Sequence, residues 1–184
     1  MTLSASATLA ADSLVQRALL AIEGGGSRVY PPPASVEVAF SPDGGTTEMI
    51  VREIGAAKRS IRIAAYAFTS RPVAKALVAA HRAGVDVKIV VDHGQIEKSN
   101  HSETAYLAKH DIPVRIDIVH TLQHDKYMVI DGKDVETGSF NYTAAAEHHN
   151  SENAIILRDA PKLAAAYADN WKSLWDAAES YSGK

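Results

Sequence analysis

The chain reads as an α/β protein, with a mixed, largely parallel β-sheet flanked by helices on both faces. Three observations predict this. Strand-like apolar runs alternate with helical patterns through residues 36–118, the order expected of strands joined by helical crossovers. Further apolar runs between 125 and 158 follow one another too closely for crossovers, so part of the sheet is antiparallel. With 184 residues and a hydrophobic fraction of 46%, the chain can build one domain around a substantial core.

Each element has a local reason. Asp12 can cap a helix over 13–23, where Leu14, Val15, Ala18, Leu19 and Ile22 share a face. Gly24, Gly25 and Gly26 stop that helix, and Pro31, Pro32 and Pro33 stiffen its exit. Residues 1–34 therefore read as an appendage and residues 35–184 as the main domain. Val36–Ser41 alternates as a strand, and a helix is expected over 46–58 with Thr46 or Thr47 near its start. Ser60–Phe68 is a mostly apolar, β-rich run suited to a buried strand. Ser70 caps a helix over 71–83 that Gly84 ends. Val85–Asp92 is a second buried strand. A polar loop (93–101), a short helix (102–110) and a strand (113–118) follow. Residues 125–131 and 134–139 read as strands joined by the Asp131-Gly132 turn, and Asn153–Arg158 as the last strand. Pro161 opens a long helix with Leu163, Ala166, Tyr167, Trp171, Leu174 and Trp175 on its apolar side.

Bulk properties narrow the function. A net charge of −3 argues against a broadly basic surface, so any binding to nucleic acid or phospholipid must use a local patch. The absence of cysteine excludes disulfides and thiolate metal sites. No run approaches the ~20 apolar residues of a membrane span, so no stable membrane insertion is expected. The N-terminus has no basic residue before Arg17 and so lacks a complete signal peptide, although Ala5-Ser6-Ala7 resembles a cleavage-site fragment.

The chemistry concentrates in His124-Asp-Lys-Tyr-Met-Val-Ile-Asp131 and, downstream, Gly138-Ser-Phe-Asn141. Strand alternation sends His124 and Lys126 to one side and Asp125 and Tyr127 to the other. Asp131, an odd seven positions on, is expected to leave the pocket and hydrogen-bond turn backbone at the strand's end. Cutting a phosphodiester needs a nucleophile, an acid for the leaving oxygen and donors around the other oxygens. Imidazole can supply the first two near neutral pH. Lys126 offers charge, and Asn141 and Ser139 offer amide and hydroxyl donors. None of the other histidines has a lysine two residues later, so one chain carries half of a two-imidazole site and a twofold axis would supply the rest. Glu152, at the start of an apolar strand, could accept an imidazole Nδ1–H and set its tautomer. His148-His149 beside Glu147 reads as a surface pair rather than a metal site. Arg71 and Lys98 sit in or beside loops after strands, where parallel sheets place ligands.

The His124-x-Lys126-x4-Asp131 and Gly138-Ser139-x-Asn141 pattern resembles the signature of the phospholipase D superfamily. The runs Ile61–Thr69, Gly84–Asp92, Gln123–Lys126, Val135–Thr143 and Asn150–Ala154 resemble its small bacterial single-motif endonucleases, over roughly 36–178. The resemblance implies a homodimer with one active site across the twofold axis, a phosphohistidine intermediate, and neither metal nor other cofactor. By position, His124 of one subunit is the nucleophile and His124 of the other the general acid. Lys126 and Asn141 bind phosphoryl oxygens, Glu152 orients an imidazole across the dimer, Ser139 supports, and Asp131 is structural. The implied substrate is DNA. A phospholipid, or an inert nucleic-acid-binding role, is the alternative. Relatives of this size also suggest a periplasmic or secreted location.

Overall fold

The structure, a computed structural model, describes residues 27–98 and 103–181. It divides into two units, Met1–Tyr30 and Pro31–Lys184. The helix expected at 13–23 lies outside the described residues.

The second unit begins with β1 (Ser35–Ser41), α1 (Thr46–Ala56), β2 (Ser60–Ala65), α2 (Arg71–Arg82) and β3 (Asp86–Asp92). Next come α3 (His93–Lys98), α4 (Thr104–Ala108), β4 (Val114–Asp117), β5 (Lys126–Ile130) and β6 (Asp134–Gly138). It closes with α5 (Ala144–His148), β7 (Glu152–Arg158), α6 (Pro161–Ala177) and β8 (Glu179–Ser180). Among the described residues, eight strands form one sheet in the order β1-β7-β6-β5-β2-β3-β4-β8.

Alternation decides which helix each strand residue meets. Ile61, Ile63, Ile89, Met128 and Ile130 pack with Ile50 and Ile54 of α1 and Val73 and Leu77 of α2. Their neighbours Ala64, Val90, Tyr127, Val129 and Val135 turn to the opposite face and meet Ala164, Trp171 and Leu174 of α6. Helices therefore cover both faces, as the sequence predicts. Trp171 donates from Nε1 to the Ile63 carbonyl at 2.8 Å and stacks on Trp175, so both indoles serve packing.

The expectation of a largely parallel sheet needs correcting. The sheet is mixed, but only the β2–β3 and β3–β4 pairs are parallel, while the other five pairs are antiparallel. The reason lies in the connections. The segments that carry α2, and α3 with α4, return their strands in parallel, whereas the comparably long segments that carry α1 and α6 lead to strands that do not pair with the one before, and β5 and β6 are joined by a tight hairpin. Between β5 and β6, Asp131 and Gly132 both have positive φ (54° and 68°), and the Lys133 amide donates back to the Ile130 carbonyl. That is the turn geometry that matches strand twist in a hairpin.

Three short elements depart from the sequence reading. Residues 93–98, expected as loop, are helical, helped by the Asp92 carboxylate accepting from the Gln95 amide at 3.2 Å. Helix α5 forms where none was expected, capped by Thr143 Oγ1 accepting from the Ala146 amide. The two-residue β8 pairs with β4. One stretch of sheet also stays bare. On edge strand β1, Val36, Val38 and Phe40 are 55%, 52% and 63% exposed on the α6 side, facing Leu157, Ile155 and Asn153 of β7.

Candidate active site

The site gathers at one end of β5. Just before the strand, the Asp125 carbonyl accepts from the Tyr66 amide at 3.0 Å, so 124–125 runs extended beside the end of β2. His124 and Lys126 meet, with Lys126 Nζ 3.0 Å from His124 Nδ1 and 2.5 Å from the His124 carbonyl. Lys126 lies on the side of Met128 and Ile130, and only 7% of it is exposed, whereas the His124 ring is open to solvent. Burial pulls the Lys126 ammonium below the usual lysine range, against the opposing charges of Asp125 and Glu152. The position of Nζ on Nδ1 leaves Nε2 as the outward ring nitrogen.

The Gly-Ser-x-Asn turn leaves β6 against β7. A Cβ at Gly138 would lie 2.2 Å from the Asn153 carbonyl oxygen, so only glycine allows this approach. The Ser139 and Phe140 amides both donate to that carbonyl, at 3.0 and 3.2 Å. Ser139 Oγ accepts from the Asn153 amide, which ties the turn to β7. Asn141 stands between two buried aromatics, Phe140 and Tyr142, and the Tyr142 carbonyl accepts from the Thr69 and Ser70 amides. Asn141 Oδ1 is buried without a hydrogen-bond partner. Glu152 starts β7, half-buried, opposite Ser41. Its carboxylate accepts from Asn150 Nδ2 at 3.1 Å and acts electrostatically on Lys126.

Asp131 lies at the far end of β5. Its carboxylate accepts from the Lys58, Arg59 and Ser60 amides at 2.7 to 3.2 Å, and its own amide donates to Ser60. Burial raises its pKa, but the three amides outweigh that and hold it below the usual carboxylate range.

Sequence reasoning missed several groups. Tyr66 packs its ring against His124 at a tilt of 53° with centroids 4.5 Å apart, and places its face 5.1 Å from Lys126 Nζ. A tyrosine ending a buried strand was the available signal. Two buried acids anchor the segment leading to His124. Asp92 Oδ2 accepts from the Gln123 amide at 3.0 Å, and Asp117 accepts from the Val119 and His120 amides and contacts the His120 ring. Glu136 and Tyr142 form a fully buried pair at 2.7 Å, and burial pushes the Glu136 carboxyl up to about 8 despite the hydroxyl bond. Nothing in the alternation of β6 marks Glu136 as buried acid rather than exposed polar residue.

Other residues singled out in the sequence go elsewhere. Arg71 pairs with Glu103 at 3.0 Å and lies over the Tyr106 ring. The Lys98 side chain lies outside the described residues. His148 pairs with Asp43, and Glu147 accepts from the Thr47 amide and hydroxyl at the start of α1. Among the described residues, no group of three or more His, Asp or Glu could hold a metal ion.

Comparisons with known proteins identify the family. Residues 50–175 match the family model described as cardiolipin synthase, PLD-like domain. A phospholipase D of Rickettsia bellii is 40% identical over 140 residues, spanning 76% of this chain and 69% of the relative. A mitochondrial cardiolipin hydrolase of Xenopus laevis is 31% identical over 134 residues, 73% of this chain and 62% of that one. In crystal structure, the phospholipase D family member Nuc from Salmonella typhimurium is 44% identical. It superposes with a TM-score of 0.77 over 80% of this chain and 97% of its own. The motif, the sheet that carries it and these matches lead to one assignment, and the chain belongs to the phospholipase D superfamily of phosphodiesterases.

Proposed function

We propose that the chain is a metal-independent endonuclease that cleaves DNA phosphodiester bonds through a phosphohistidine intermediate, at a site shared by two copies. The observation that carries this reading is one solvent-facing imidazole, His124, packed against one buried lysine, Lys126, with no second such pair in the sequence. Pairing is further supported by the exposed apolar row Val36, Val38 and Phe40, a surface of the kind that marks association sites. A second copy would bury it.

The reaction runs in two displacements. Substrate draws Lys126 Nζ away from His124 Nδ1 onto a phosphoryl oxygen, beside the Asn141 amide. The freed Nδ1 can then carry the proton, held by a carboxylate for which Glu152 of either copy is the candidate. Neutral Nε2 attacks phosphorus in line, the P–O bond to the leaving group breaks, and the partner's His124, as imidazolium, protonates that oxygen. Water then attacks phosphorus, the partner's His124 takes its proton, the P–N bond breaks and His124 is restored. Two symmetric imidazoles start alike, so bound substrate separates their protonation states, and their titration belongs to the pair.

Incubation with supercoiled plasmid in excess chelator tests the reading, with His124→Ala as control. Nicking by wild type and none by the variant is expected. Activity that needs added metal, or a variant that still cuts, would reject it. The names of the Rickettsia relatives favour a second reading, phospholipid hydrolysis with the same groups. Vesicles of phosphatidylcholine or cardiolipin assayed in parallel distinguish the two.

A further inference from the structure

The loop between β4 and β5 carries more than His124. Its residues Ile118, His120 and Leu122 line a cavity of about 310 Å³, whose other wall is Asp92, His93 and Gln95 at the end of β3. Asp117, 2% exposed, accepts from the Val119 and His120 amides and contacts His120 Nδ1 at 2.7 Å. Burial raises the Asp117 pKa, yet those three bonds hold it low, so the carboxylate accepts the Nδ1–H and Nε2 is the nitrogen left for a ligand. Asp92, also 2% exposed, lines the same cavity and fixes the Gln123 amide, one residue before His124. Both ends of the loop are thus clamped by buried acids, and two imidazoles are presented from it. Four residues of chain reach at most about 14 Å, so His120 stands within a nucleotide or two of the reacting phosphorus.

We propose that this cavity is a substrate subsite that takes the nucleoside and phosphate next to the scissile bond, with His120 meeting the phosphate and Ile118 and Leu122 meeting the base or sugar. The inference rests on the nucleic-acid reading above. Size supports the choice of ligand. The cavity is at the lower end of the ~300–1,000 Å³ range of small-molecule sites, enough for one nucleoside and far too small for two acyl chains. Its composition supports it too, since apolar walls suit a ring face, and His120 in its imidazolium form donates from Nε2 to an anion while its Nδ1–H stays on Asp117. The place is also where ligands collect in such sheets, outside the carboxyl ends of parallel strands β3 and β4. His120 is a positioning residue here, since it orients the chain of the substrate and takes no part in bond making.

The test compares two phosphodiesters, a single-stranded oligonucleotide that reaches the cavity and bis(p-nitrophenyl) phosphate, which carries no nucleoside. In His120→Ala, KM for the oligonucleotide should rise about tenfold relative to KM for the small diester, with kcat on the oligonucleotide kept. Equal KM changes on the two substrates, or a parallel fall in kcat on both, would overturn the subsite while leaving the endonuclease reading intact. Wild type that cleaves phosphatidylcholine vesicles and no oligonucleotide would overturn both.

Discussion

The two ends of β5 carry the same motif and have opposite hydrogen-bonding states. At its start, His124 is open to solvent and Lys126 is buried with its pKa drawn down, and Asn141, which the motif adds, has a buried Oδ1 without a partner. Past its end, the Asp131 carboxylate accepts from three consecutive amides and sits in a left-handed turn position. Four strand residues, Tyr127–Ile130, separate a site with unspent hydrogen-bonding capacity from one with none. Reactivity belongs to groups whose partners are incomplete until substrate arrives, and stability to groups whose partners are complete in the folded chain. A sequence motif can hold both kinds because the strand connects them.

Substitutions at the two ends should therefore separate activity from stability. His124→Ala is expected to lower plasmid nicking by at least about 10⁴-fold, since the proposed nucleophile is gone. Its thermal midpoint should stay within a degree or two, because the ring is exposed. Asp131→Ala should do the reverse. Three amides lose their acceptor and a Cβ residue other than Asp or Asn takes a positive φ, so stability falls by about 2–4 kcal/mol. Cleavage per folded molecule should persist below the melting transition. Denaturant unfolding with activity measured on the same samples checks both, and an Asp131 variant that is stable but inactive would erase the distinction.

Glu136 sharpens the contrast from within the core. Its carboxyl titrates near 8 in the folded chain against an ordinary value of 4.5. Between those values the folded state binds the proton that the unfolded state has released. The stability this group contributes is therefore complete below pH 4.5 and is lost as pH rises to about 8, by up to ~1.4 kcal/mol per pH unit. Glu136→Gln should flatten that slope. Parallel urea denaturation curves from pH 5 to 8 with identical slopes for the two proteins would show that Glu136 is not the source. A smaller effect is expected at the bare edge of the sheet. Val38→Lys puts a charge among Val36, Phe40 and Ile155, and should weaken self-association and nicking together by about tenfold at fixed concentration. Sedimentation velocity across a dilution series measures it. A Val38→Lys protein that sediments as wild type does would remove this face from the proposed dimer.

Much of the fold was legible in the sequence because strands and helices announce themselves by local periodicity. Ile61 and Ile63 against Ala64, or Tyr127 and Val129 against Met128 and Ile130, divide between faces as alternation predicts. Short elements such as α5 and β8 were not legible, since five residues are little more than one helical turn and two residues a single strand period, too few to show a repeat. The proportion of parallel pairs was misjudged for a related reason. β1 looks like the first strand of a crossover series, yet it pairs antiparallel with β7, more than a hundred residues later, and no local feature of Val36–Ser41 encodes that partner. Around the site, the spacing of His124 and Lys126 put them on one side, and they do meet, although His124 precedes the strand rather than standing in it. Tyr66, Asp92 and Asp117 could not be tied to the site from the sequence, since each reaches it through a contact made across the sheet or through a loop backbone.

By itself, the order of residues determined which groups can do chemistry here, that each chain carries a single His-x-Lys, and that apolar periodicity would build a layered α/β core. Covalent spacing and side-chain type are enough for that, because both act over a few residues. Only the folded chain decided which polar groups would be satisfied. It spent Asp131 on a turn, Arg71 on Glu103 and Glu147 on the start of α1, and it left Lys126 against an exposed imidazole. A hydrogen bond depends on which distant backbone arrives within about 3 Å, and that distance is a property of packing rather than of neighbouring letters.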